Sequence, residues 1–568
     1  MTVKGNFNEI RVNHRGFLRD GAKRFVLTEN KTGLLDFQVW LVQCDIEPPV
    51  LFEGVMTPET DAYGSTVWTG DFSGMRAEGD FFITAGGFTS RQFVVYDGAY
   101  DICKRMMLEY FTYQRCGSDL GWNGKCHTDD GYIAETGEHV DLVGGYHQSC
   151  DLRKSPGGVS IGVLGMMYAA MEDTSAWGRH LFPEEAAWAC DYYVKTIQQS
   201  GAMYNTLNSP FGWEGRVFYK SPAPSSAQWC VTTILALGAR YFADRDPERA
   251  GRYLEASVRS WKFMTGDERS DAQYRHPDKF PRGMDPDNVY ELCRKGGTAD
   301  LGYLIVAAAE LYRATSQTKY LDAMREPVRV LCARQLDGGL ACALRRGDHP
   351  DRLMSGGSPY AWAHSGLNAL ICAYELLGDT DGLVDAIRHA ADALCVISGR
   401  SPYRLLLRIM SDTDLDVVAG HPAPGRKLYS YRETMKKLTR VGSFLADGRE
   451  IGAYINEENI VPSSMSYDAI FLARAAKLFG EPRWQKAAQA HLDALLGANF
   501  LDSSAVRGIG YNNPYAKAFG QFFPSTPYLP GAMGVSYATL QGFSEYDMPC
   551  VGAAMRLITA LCGVGMGL

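Results

Sequence analysis

A loop-rich segment between residues 113 and 155 concentrates the side chains best suited to metal chemistry. It contains two thiols, Cys116 and Cys126, and two imidazoles, His127 and His147. Two thiolates with two imidazoles complete the tetrahedral shell of a structural zinc ion, and this ligand set favours zinc over calcium or magnesium. The segment lacks a hydrophobic core of its own, so a metal could hold it together. The spacing is not that of a standard zinc finger, and on the residues alone unlinked Cys and His side chains in a loop remain an alternative.

The chain around this segment divides into a strand-rich start and a helical remainder. Residues 7 to about 95 contain short alternating runs between Gly and Pro clusters, which is typical of a β-sandwich. From Tyr100 the apolar period becomes helical, and the absence of a fixed repeat of 30 to 45 residues favours a barrel of paired helices over a solenoid. The predicted helices span 100–113, 158–173, 184–200, 224–243, 247–265, 297–314, 317–334, 361–378, 380–397, 464–478, 481–497 and 545–563.

Composition and charge narrow the classes of function. With 568 residues, of which 46% are hydrophobic and 21% charged, the chain is long enough for two or more globular domains. Its formal net charge is -8 and it has no long basic run, so neither nucleic acid nor an anionic membrane is an expected partner. No stretch approaches the roughly 18 apolar residues of a membrane span.

The N-terminal residues and the cysteines indicate an intracellular location. The first residues, MTVKGNFNEIRVNHRGF, contain neither an apolar core nor a small-residue cleavage site, so no signal peptide is predicted. The 14 cysteines are scattered, and many lie in apolar helical patterns such as those around Cys190 and Cys230. This distribution indicates reduced core thiols rather than a disulfide framework. We therefore expect a cytoplasmic protein.

The motifs of the 113–155 segment resemble those of a known enzyme family. Gln114-Arg115-Cys116-Gly117, Cys126-His127 and the run GGYHQSCD from Gly144 stand in the order of the QRCG, CH and GGWHDAGD elements of glycoside hydrolase family 9. The run IRVNHRGFLRDGAKR from Ile10 resembles the immunoglobulin-like module that precedes the barrel in some members. The resemblance implies a multidomain β and all-α fold: an immunoglobulin-like β-sandwich over residues 1–96, then an (α/α)6-barrel catalytic domain over residues 97–568.

The resemblance assigns roles to residues of these motifs. The second Asp of the DAGD element is the principal base of an inverting hydrolysis, and Asp151 stands in its place. The first Asp corresponds to Gln148, an amide that can orient water but cannot accept its proton, which puts plain cellulase activity in doubt. Without the resemblance, Asp151 would be interpreted as a surface loop acid. The family's zinc ligands correspond to Cys116, Cys126, His127 and His147, which implies a structural zinc ion.

The general acid of the family is a Glu at the head of the last helix. The run SEYDMPCVG from Ser544 matches that element, with Glu545 at the position of the acid and Ser544 able to cap the helix. A carboxylate in the first turn of a helix is normally stabilised in its charged form, so a working acid would need burial or nearby negative charge. A carboxylate that only starts the helix remains the alternative for Glu545, and Asp547 is the second candidate for the acid.

The residues that would hold the sugar differ from those of the family's cellulases. The family's PHHR-like loop corresponds to residues 508–519, which contain no His pair and no Arg, whereas residues 530–535 still resemble a family segment. Trp can stack on a sugar ring and Arg can hold a hydroxyl or carboxylate, although structural packing is an alternative for each residue. The substrate-binding candidates are Gln148, Trp213, Glu214, Arg216, Trp362, His364 and Tyr511, with Tyr528 as a weaker choice and Arg153, Lys154 and Arg216 as cations for an acidic sugar.

These observations predict an inverting glycoside hydrolase that acts on a short or modified glycan, in exo fashion, rather than on plain cellulose. Its partner would be an oligosaccharide or glycoside. Two alternatives stay open: a family member altered to bind sugar or to use phosphate or elimination instead of water, and a helical interaction scaffold. A hydrolase needs two facing carboxylates, roughly 6.5–9.5 Å apart in an inverting enzyme, whereas a scaffold does not.

Overall fold

The structure is a computed structural model. It describes residues 8–43, 47–61, 64–120, 124–149, 154–205, 217–269, 295–345, 353–354, 365–406, 409–411, 438–446, 449–456, 462–513, 528–534 and 546–562.

Two antiparallel sheets form the N-terminal part of the chain. One sheet has the strand order β1-β2-β6-β5, and the other has the order β4-β3-β7-β8 with β9 also paired to β7. The strands are β1 (Ile10–Arg11), β2 (Arg24–Leu27), β3 (Asp36–Leu41), β4 (Val50–Val55), β5 (Thr57–Thr60), β6 (Thr66–Asp71), β7 (Gly79–Ala85), β8 (Phe88–Thr89) and β9 (Phe93–Val95).

Alternation along the strands explains how the two sheets share a core. Phe37 and Val39 of β3 are buried with Phe81 and Ile83 of β7, while the residues between them are more exposed. In β2 this alternation fails, because Val26 is as buried as its neighbours and packs in the core of the helical part. The β1-β2-β6-β5 sheet is therefore covered on both faces, by the other sheet and by the helices.

Twelve described helices follow the sheets. They are α1 (Asp101–Tyr113), α2 (Pro156–Glu172), α3 (Ala176–Thr196), α4 (Ser225–Phe242), α5 (Pro247–Thr265), α6 (Thr298–Thr315), α7 (Lys319–Arg334), α8 (Ser365–Leu377), α9 (Leu383–Ser398), α10 (Pro462–Phe479), α11 (Pro482–Leu495) and α12 (Met548–Cys562). None of the helices in the described part of the chain is both long enough and apolar enough to cross a membrane.

The even-numbered helices form a closed inner ring. Each contacts the next, from α2 through α4, α6, α8 and α10 to α12, and α12 contacts α2. The odd-numbered helices lie outside this ring and pack on its members. This arrangement confirms the predicted (α/α)6 barrel after a strand-rich immunoglobulin-like part. β9 ends at Val95 and α1 begins at Asp101, and the boundary between residues 96 and 97 stays a prediction.

Glycines allow the first and last inner helices to close the ring. A Cβ added at Gly165 of α2 would collide with the backbone of Gly552 in α12, and a Cβ at Gly552 would collide with the backbone of Gly162. Helix backbones this close leave no room for side chains between them. The contact holds the start of α12 beside the first half of α2, which positions the segments that precede both helices.

The connections between helices are short at one end of the barrel and long at the other. Each inner helix from α2 to α10 is joined to the following outer helix by two to five residues, as at 173–175 and 378–382. A short connection makes the two helices antiparallel neighbours, so all inner helices begin at the same end. The helix ends joined by the long connections lie at that end; these connections are 114–155, 197–224, 266–297, 335–364, 399–461 and 496–547. Every predicted site residue falls within one of these connections by its number.

Two expectations about secondary structure were wrong. After residue 100 we expected helices joined by loops, but β10 (Leu438–Ala446) and β11 (Arg449–Asn456) form a hairpin within one of the long connections. The sequence did carry the signal, because Asp-Gly at 447–448 between two alternating runs favours a two-residue hairpin turn. The predicted start of the third helix at 184 was also wrong: α3 begins at Ala176, where Ser175 Oγ accepts a hydrogen bond from Gly178 N.

Candidate active site and metal centre

The four predicted metal ligands lie together at the end of the barrel that carries the long connections. Cys116, Cys126, His127 and His147 are buried, and one donor atom from each lies within 4.8 Å of all the others. A tetrahedral zinc ion with bonds of roughly 2.0–2.3 Å holds its ligand atoms roughly 3.3–3.8 Å apart. The Nδ1 atoms of His127 and His147 are buried without a hydrogen-bond partner in the described part of the chain. The residues therefore fit a zinc ion with a donor set of two sulfur and two nitrogen atoms.

The protonation preferences of the cluster also suit a metal. A hydrogen bond from Cys116 lowers the pKa of Cys126 well below its usual value, whereas burial raises the pKa of Cys116 well above it. Burial also lowers the pKa of His147, whose Nε2 lies 3.2 Å from Cys126 Sγ. The cluster thus favours one thiolate and a neutral imidazole, which are the forms that bind metals.

A hydrogen-bond network holds the strands that carry Cys116 and His147. Cys116 N donates to Gly145 O at 2.9 Å, and His147 N donates to Gln114 O at 2.8 Å. Glu185 of α3 accepts hydrogen bonds from Arg115 Nη2 at 2.9 Å and from Tyr146 Oη at 2.7 Å. The ligand-bearing segments are therefore fixed to an outer helix by a buried carboxylate.

The loop that carries Asp151 is closed at its base. His147 and Lys154 form an antiparallel bridge, so that residues 148–153 span the gap between them. Lys154 Nζ lies 2.9 Å from Asp130 Oδ2, and both side chains are buried. One end of the loop therefore belongs to the metal cluster and the other to a buried ion pair. The pairing of Lys154 with Asp130 away from solvent argues against the expectation that Lys154 is a cation for an acidic sugar.

Gln148 connects this loop to the start of the last inner helix. Met548 N donates to Gln148 O at 3.1 Å, and Gln148 Nε2 donates to Asp547 Oδ1 at 3.3 Å. The segments that carry the predicted base and the predicted acid are therefore adjacent. One end of the Gln148 amide therefore faces Asp547, and its role in orienting water stays a prediction.

The start of α12 differs from the prediction. The helix begins at Met548 rather than at residue 545, and the Asp547 carbonyl accepts a hydrogen bond from Cys550 N at 3.1 Å. Asp547 therefore takes the position before the helix that we expected Ser544 to hold. Glu545 precedes the helix by three residues, so the predicted placement in the first helical turn was wrong.

Several predicted site residues lie outside the described residues. These are Asp151, Arg153, Trp213, Glu214, Arg216, Trp362, His364 and Glu545. Their roles stay predictions.

Tyr511 lies at the junction between the sheets and the helical part, which argues against the predicted role in substrate binding. Its ring stacks on His14, with 3.9 Å between ring centroids, and Arg91 lies over its ring. Its hydroxyl donates to Asp502 Oδ1 at 2.6 Å. Tyr528, the weaker candidate, is exposed and lies beneath the guanidinium of Arg507. The sequence could not separate these roles, because an aromatic residue in a loop suits both.

Two functional supports were missed by sequence reasoning. Both are buried carboxylates. Asp130 holds one end of the loop at residues 148–153, which we call the base loop, through Lys154. Glu185 holds the segments that carry Cys116 and His147 through Arg115. Their partners are distant in the sequence: Asp130 pairs with Lys154 and Glu185 with Arg115. Neither pair has a spacing that marks it, so no sequence signal was available.

Comparison with protein families gives two matches that together cover most of the chain. Residues 100–518 match the model of Glycosyl hydrolase family 9, and residues 6–90 match the Cellulase N-terminal ig-like domain. Among curated proteins, a cellodextrinase from Butyrivibrio fibrisolvens is 23% identical over 349 residues, which cover 56% of this chain and 60% of that protein. Endoglucanase D from Acetivibrio thermocellus is 24% identical over 294 residues, 45% of each chain. Each match thus spans less than two thirds of the relative.

Solved structures share the fold over nearly the whole chain. A family 9 glycoside hydrolase of Bacteroides ovatus has a TM-score of 0.67 at 15% identity and covers 98% of this chain and 99% of its own. A mutant of a thermostable endoglucanase from Alicyclobacillus acidocaldarius has the same TM-score at 17% identity and the same coverage. A zinc-binding triple mutant of endoglucanase J30 has a TM-score of 0.66 at 16% identity, covering 96% of this chain and 99% of its own. With the family model matching well over half of its residues, this chain belongs to glycosyl hydrolase family 9.

Proposed function

We propose that the protein hydrolyses glycosidic bonds with inversion at the anomeric carbon, with Asp151 as the base and Glu545 as the acid. The observation that carries the proposal is the hydrogen bond from Met548 N to Gln148 O at 3.1 Å. Asp151 follows Gln148 by three residues, and Glu545 precedes Met548 by three. A contact between these segments supports two carboxylates on either side of one cleft, as an inverting hydrolase requires.

The two carboxylates would divide the proton transfers of the reaction. Asp151 accepts the proton of the water that attacks the anomeric carbon, and Glu545 protonates the leaving oxygen. An acid must keep its proton near neutral pH, which the positive end of a helix dipole opposes within the first turn. Because α12 begins at Met548, Glu545 precedes that turn, and the sequence-based objection to it as an acid is weakened.

The substrate we propose is a short or modified glycan attacked in exo fashion, rather than plain cellulose. The names of the relatives, a cellodextrinase and endoglucanases, support a glucan-like oligosaccharide. Gln148 and the absence of a His pair from residues 508–519 argue for a changed grip on the sugar. The location in the cytoplasm stays a prediction.

We also propose that Cys116, Cys126, His127 and His147 hold a structural zinc ion. The compact, buried donor set supports it, and a structural neighbour is described as a zinc-binding variant. With four protein ligands the ion would have no open position for substrate, so its contribution would be to fix the fold of the loop.

The test is a panel of oligosaccharides and aryl glycosides assayed with wild type, Asp151→Asn, Glu545→Gln and the control Asp244→Asn. Asp244 is exposed in the short connection between α4 and α5, at the opposite end of the barrel. The anomeric configuration of the first product is followed by NMR. We expect an inverted product, an unaffected control, and losses of at least about 10²-fold in kcat for both site variants.

The leaving group separates the two roles. An aryl glycoside with an acidic phenol leaves without much protonation, so Glu545→Gln should lose far less activity on it than on an oligosaccharide. Asp151→Asn should lose activity on both. A retained anomeric configuration, or turnover that neither substitution changes, would contradict the proposal.

The second candidate function is a family member with altered chemistry, and the presence of Gln148 in place of the first family carboxylate favours it. Such a protein would bind oligosaccharides without hydrolysing them, or would cleave them only with inorganic phosphate present. Calorimetric titration with the same panel, and assays with and without phosphate, distinguish these outcomes from hydrolysis.

A further inference from the structure

Gln148 spans the starts of two inner helices. Its backbone oxygen accepts from Met548 N, and its side-chain Nε2 donates to Asp547 Oδ1 at 3.3 Å. The other end of the carboxamide lies over the first turn of α2, where a Cβ added at Gly158 would overlap Gln148 Oε1. The Nε2 end of the amide is thus hydrogen-bonded to Asp547, and the Oε1 end packs closely against the start of α2.

The chemistry of Asp547 determines which side chain can face it. The carboxylate is buried at 5% exposure, and Cys550 Sγ lies 3.6 Å from its Oδ2. Its own N–H donates to Met533 O at 2.9 Å, which fixes the backbone just before α12. A carboxylate held in this way favours a hydrogen-bond donor opposite Oδ1 and disfavours a second negative charge. An amide meets that condition, and an Asp at position 148 would not.

We propose that Asp547 and Gln148 form an amide–carboxylate pair that positions the base loop relative to the acid segment, the chain just before α12 that includes Glu545. In this pair, Asp547 is the reason why position 148 holds an amide. Asp547 is then a positioning residue, and the acid role that the sequence left open for it is not needed. The functional part of this inference rests on the proposed hydrolysis, since the pair would set the distance between Asp151 and Glu545. The Gln148–Asp547 pair itself does not depend on the proposed hydrolysis.

Compensation between positions 148 and 547 accounts for the departure from the family at Gln148. The family has an Asp in place of Gln148, and two carboxylates this close would compete for one proton. If position 547 already supplies a carboxylate, the opposite position must become neutral. A reversal of both residues should then restore a compatible pair, whereas reversal of Gln148 alone should not.

The experiment is a double-mutant cycle of Gln148→Asp, Asp547→Asn and the combined variant, with Asp244→Asn as the control for loss of a carboxylate. Thermal unfolding and the pH dependence of kcat/KM on the best substrate are measured from pH 4.5 to 8. We expect Asp547→Asn to cost less than about threefold in kcat/KM, because the Asn oxygen still accepts the amide proton. Gln148→Asp should cost more than about tenfold at pH 7, and the combined variant should recover to within about threefold of Asp547→Asn.

The sign of the pH effect is specific to the pair. The carboxyl introduced by Gln148→Asp faces Asp547, so its pKa in the folded state is raised. Stability is then retained at low pH and lost as the pH rises through the raised pKa. The unfolding temperature of Gln148→Asp should approach that of wild type at pH 4.5, fall below it at pH 7, and recover in the combined variant.

The two readouts separate failure of the pair from failure of the proposed function. If wild type hydrolyses nothing in the panel, the proposed function fails, and recovery of the unfolding temperature still tests the pair. If wild type is active but the two substitutions are additive in both readouts, with no change of pH dependence, the pair is refuted and the hydrolase stands.

Discussion

Asp493 is a buried carboxyl where the N-terminal sheets meet the helices. Its Oδ1 accepts hydrogen bonds from Asn13 Nδ2 and Gln489 Nε2, both at 2.8 Å. Burial raises the pKa of Asp493 from 3.8 to about 7, although these hydrogen bonds and the charges of Arg24 and Lys23 oppose the change. The folded protein therefore keeps this proton over a pH range in which the unfolded chain has lost it. Stability from this group is complete below about pH 4 and is lost as the pH rises to 7.

We expect Asp493→Asn to remove part of the pH dependence of stability. The Asn side chain keeps the Oδ1 acceptor but cannot ionise, so it imitates the protonated carboxyl. Between pH 5 and pH 7 the wild type should lose about 2–3 kcal/mol of unfolding free energy through this group, and the variant should not. Denaturant unfolding at pH 5, 6 and 7 measures the difference, with Asp244→Asn expected to follow wild type. Equal slopes for Asp493→Asn and wild type would contradict the assignment.

At the scale of the element, the base loop within the connection between α1 and α2 is held at both of its ends. The metal cluster includes His147 at the start of the base loop, and Lys154 at its end pairs with Asp130. The loop between them therefore depends on two anchors, neither of which is a hydrophobic core. Loss of either anchor should disturb the position of Asp151 before it disturbs the barrel.

We expect the purified protein to contain one zinc ion per chain and to lose activity when the ion is removed. Prolonged treatment with a strong chelator should lower kcat far more than it changes the secondary structure, because the inner ring does not depend on the metal. Metal analysis, circular dichroism and activity measured on the same samples test this. Cys126→Ser should show the same pattern, and Cys190→Ser, a free buried thiol in α3, is the control. Full activity in a preparation without metal would contradict the prediction.

At the scale of the whole molecule, the sheets and the barrel share an extensive polar junction. Asp502 is its centre: its carboxylate binds Asn8 N, Arg11, His14 and the Tyr511 hydroxyl. A second contact joins Glu59 of β5 to Arg404 after α9, through two hydrogen bonds of 2.7 Å. The sheets are thus fixed to the helical part through charged and polar contacts of Asp502 and Glu59.

We expect Tyr511→Phe to weaken the junction without changing catalysis. Removing the hydroxyl leaves the Asp502 carboxylate with one hydrogen bond fewer, which should cost about 1–3 kcal/mol of unfolding free energy. Values of kcat and KM should stay within about twofold of wild type. Tyr528→Phe, which alters an exposed tyrosine, is the control and should change neither. A large rise in KM for Tyr511→Phe with unchanged stability would restore the prediction that this residue binds substrate.

Much of the fold could be predicted because it depends on local patterns. Alternating runs indicated the sheets, and the helical period indicated helices close to the observed ranges, with errors concentrated at their ends. The start of α12 was placed three residues too early because Ser544 is also a good capping residue. The β10–β11 hairpin was missed although Asp-Gly lies between its strands in the sequence. The error at the start of α12 matters for function, since it decides whether Glu545 lies inside a helix.

The sequence by itself determined the kinds of side chain available: the four candidate metal ligands, the single Asp of the predicted base motif and the amide near it. These follow from residue identity and order, which a motif records directly. Only the tertiary structure decided that Gln148 faces Asp547, that Lys154 pairs with Asp130, and that Tyr511 belongs to the domain junction. Gln148 and Asp547 are 399 residues apart and Lys154 and Asp130 are 24 apart, while Tyr511 stacks on His14 near the other end of the sequence, and no local pattern encodes these contacts. Closing the inner ring, with α12 against α2, brings Gln148 and Asp547 together, because the chain before α12 then lies beside the chain before α2.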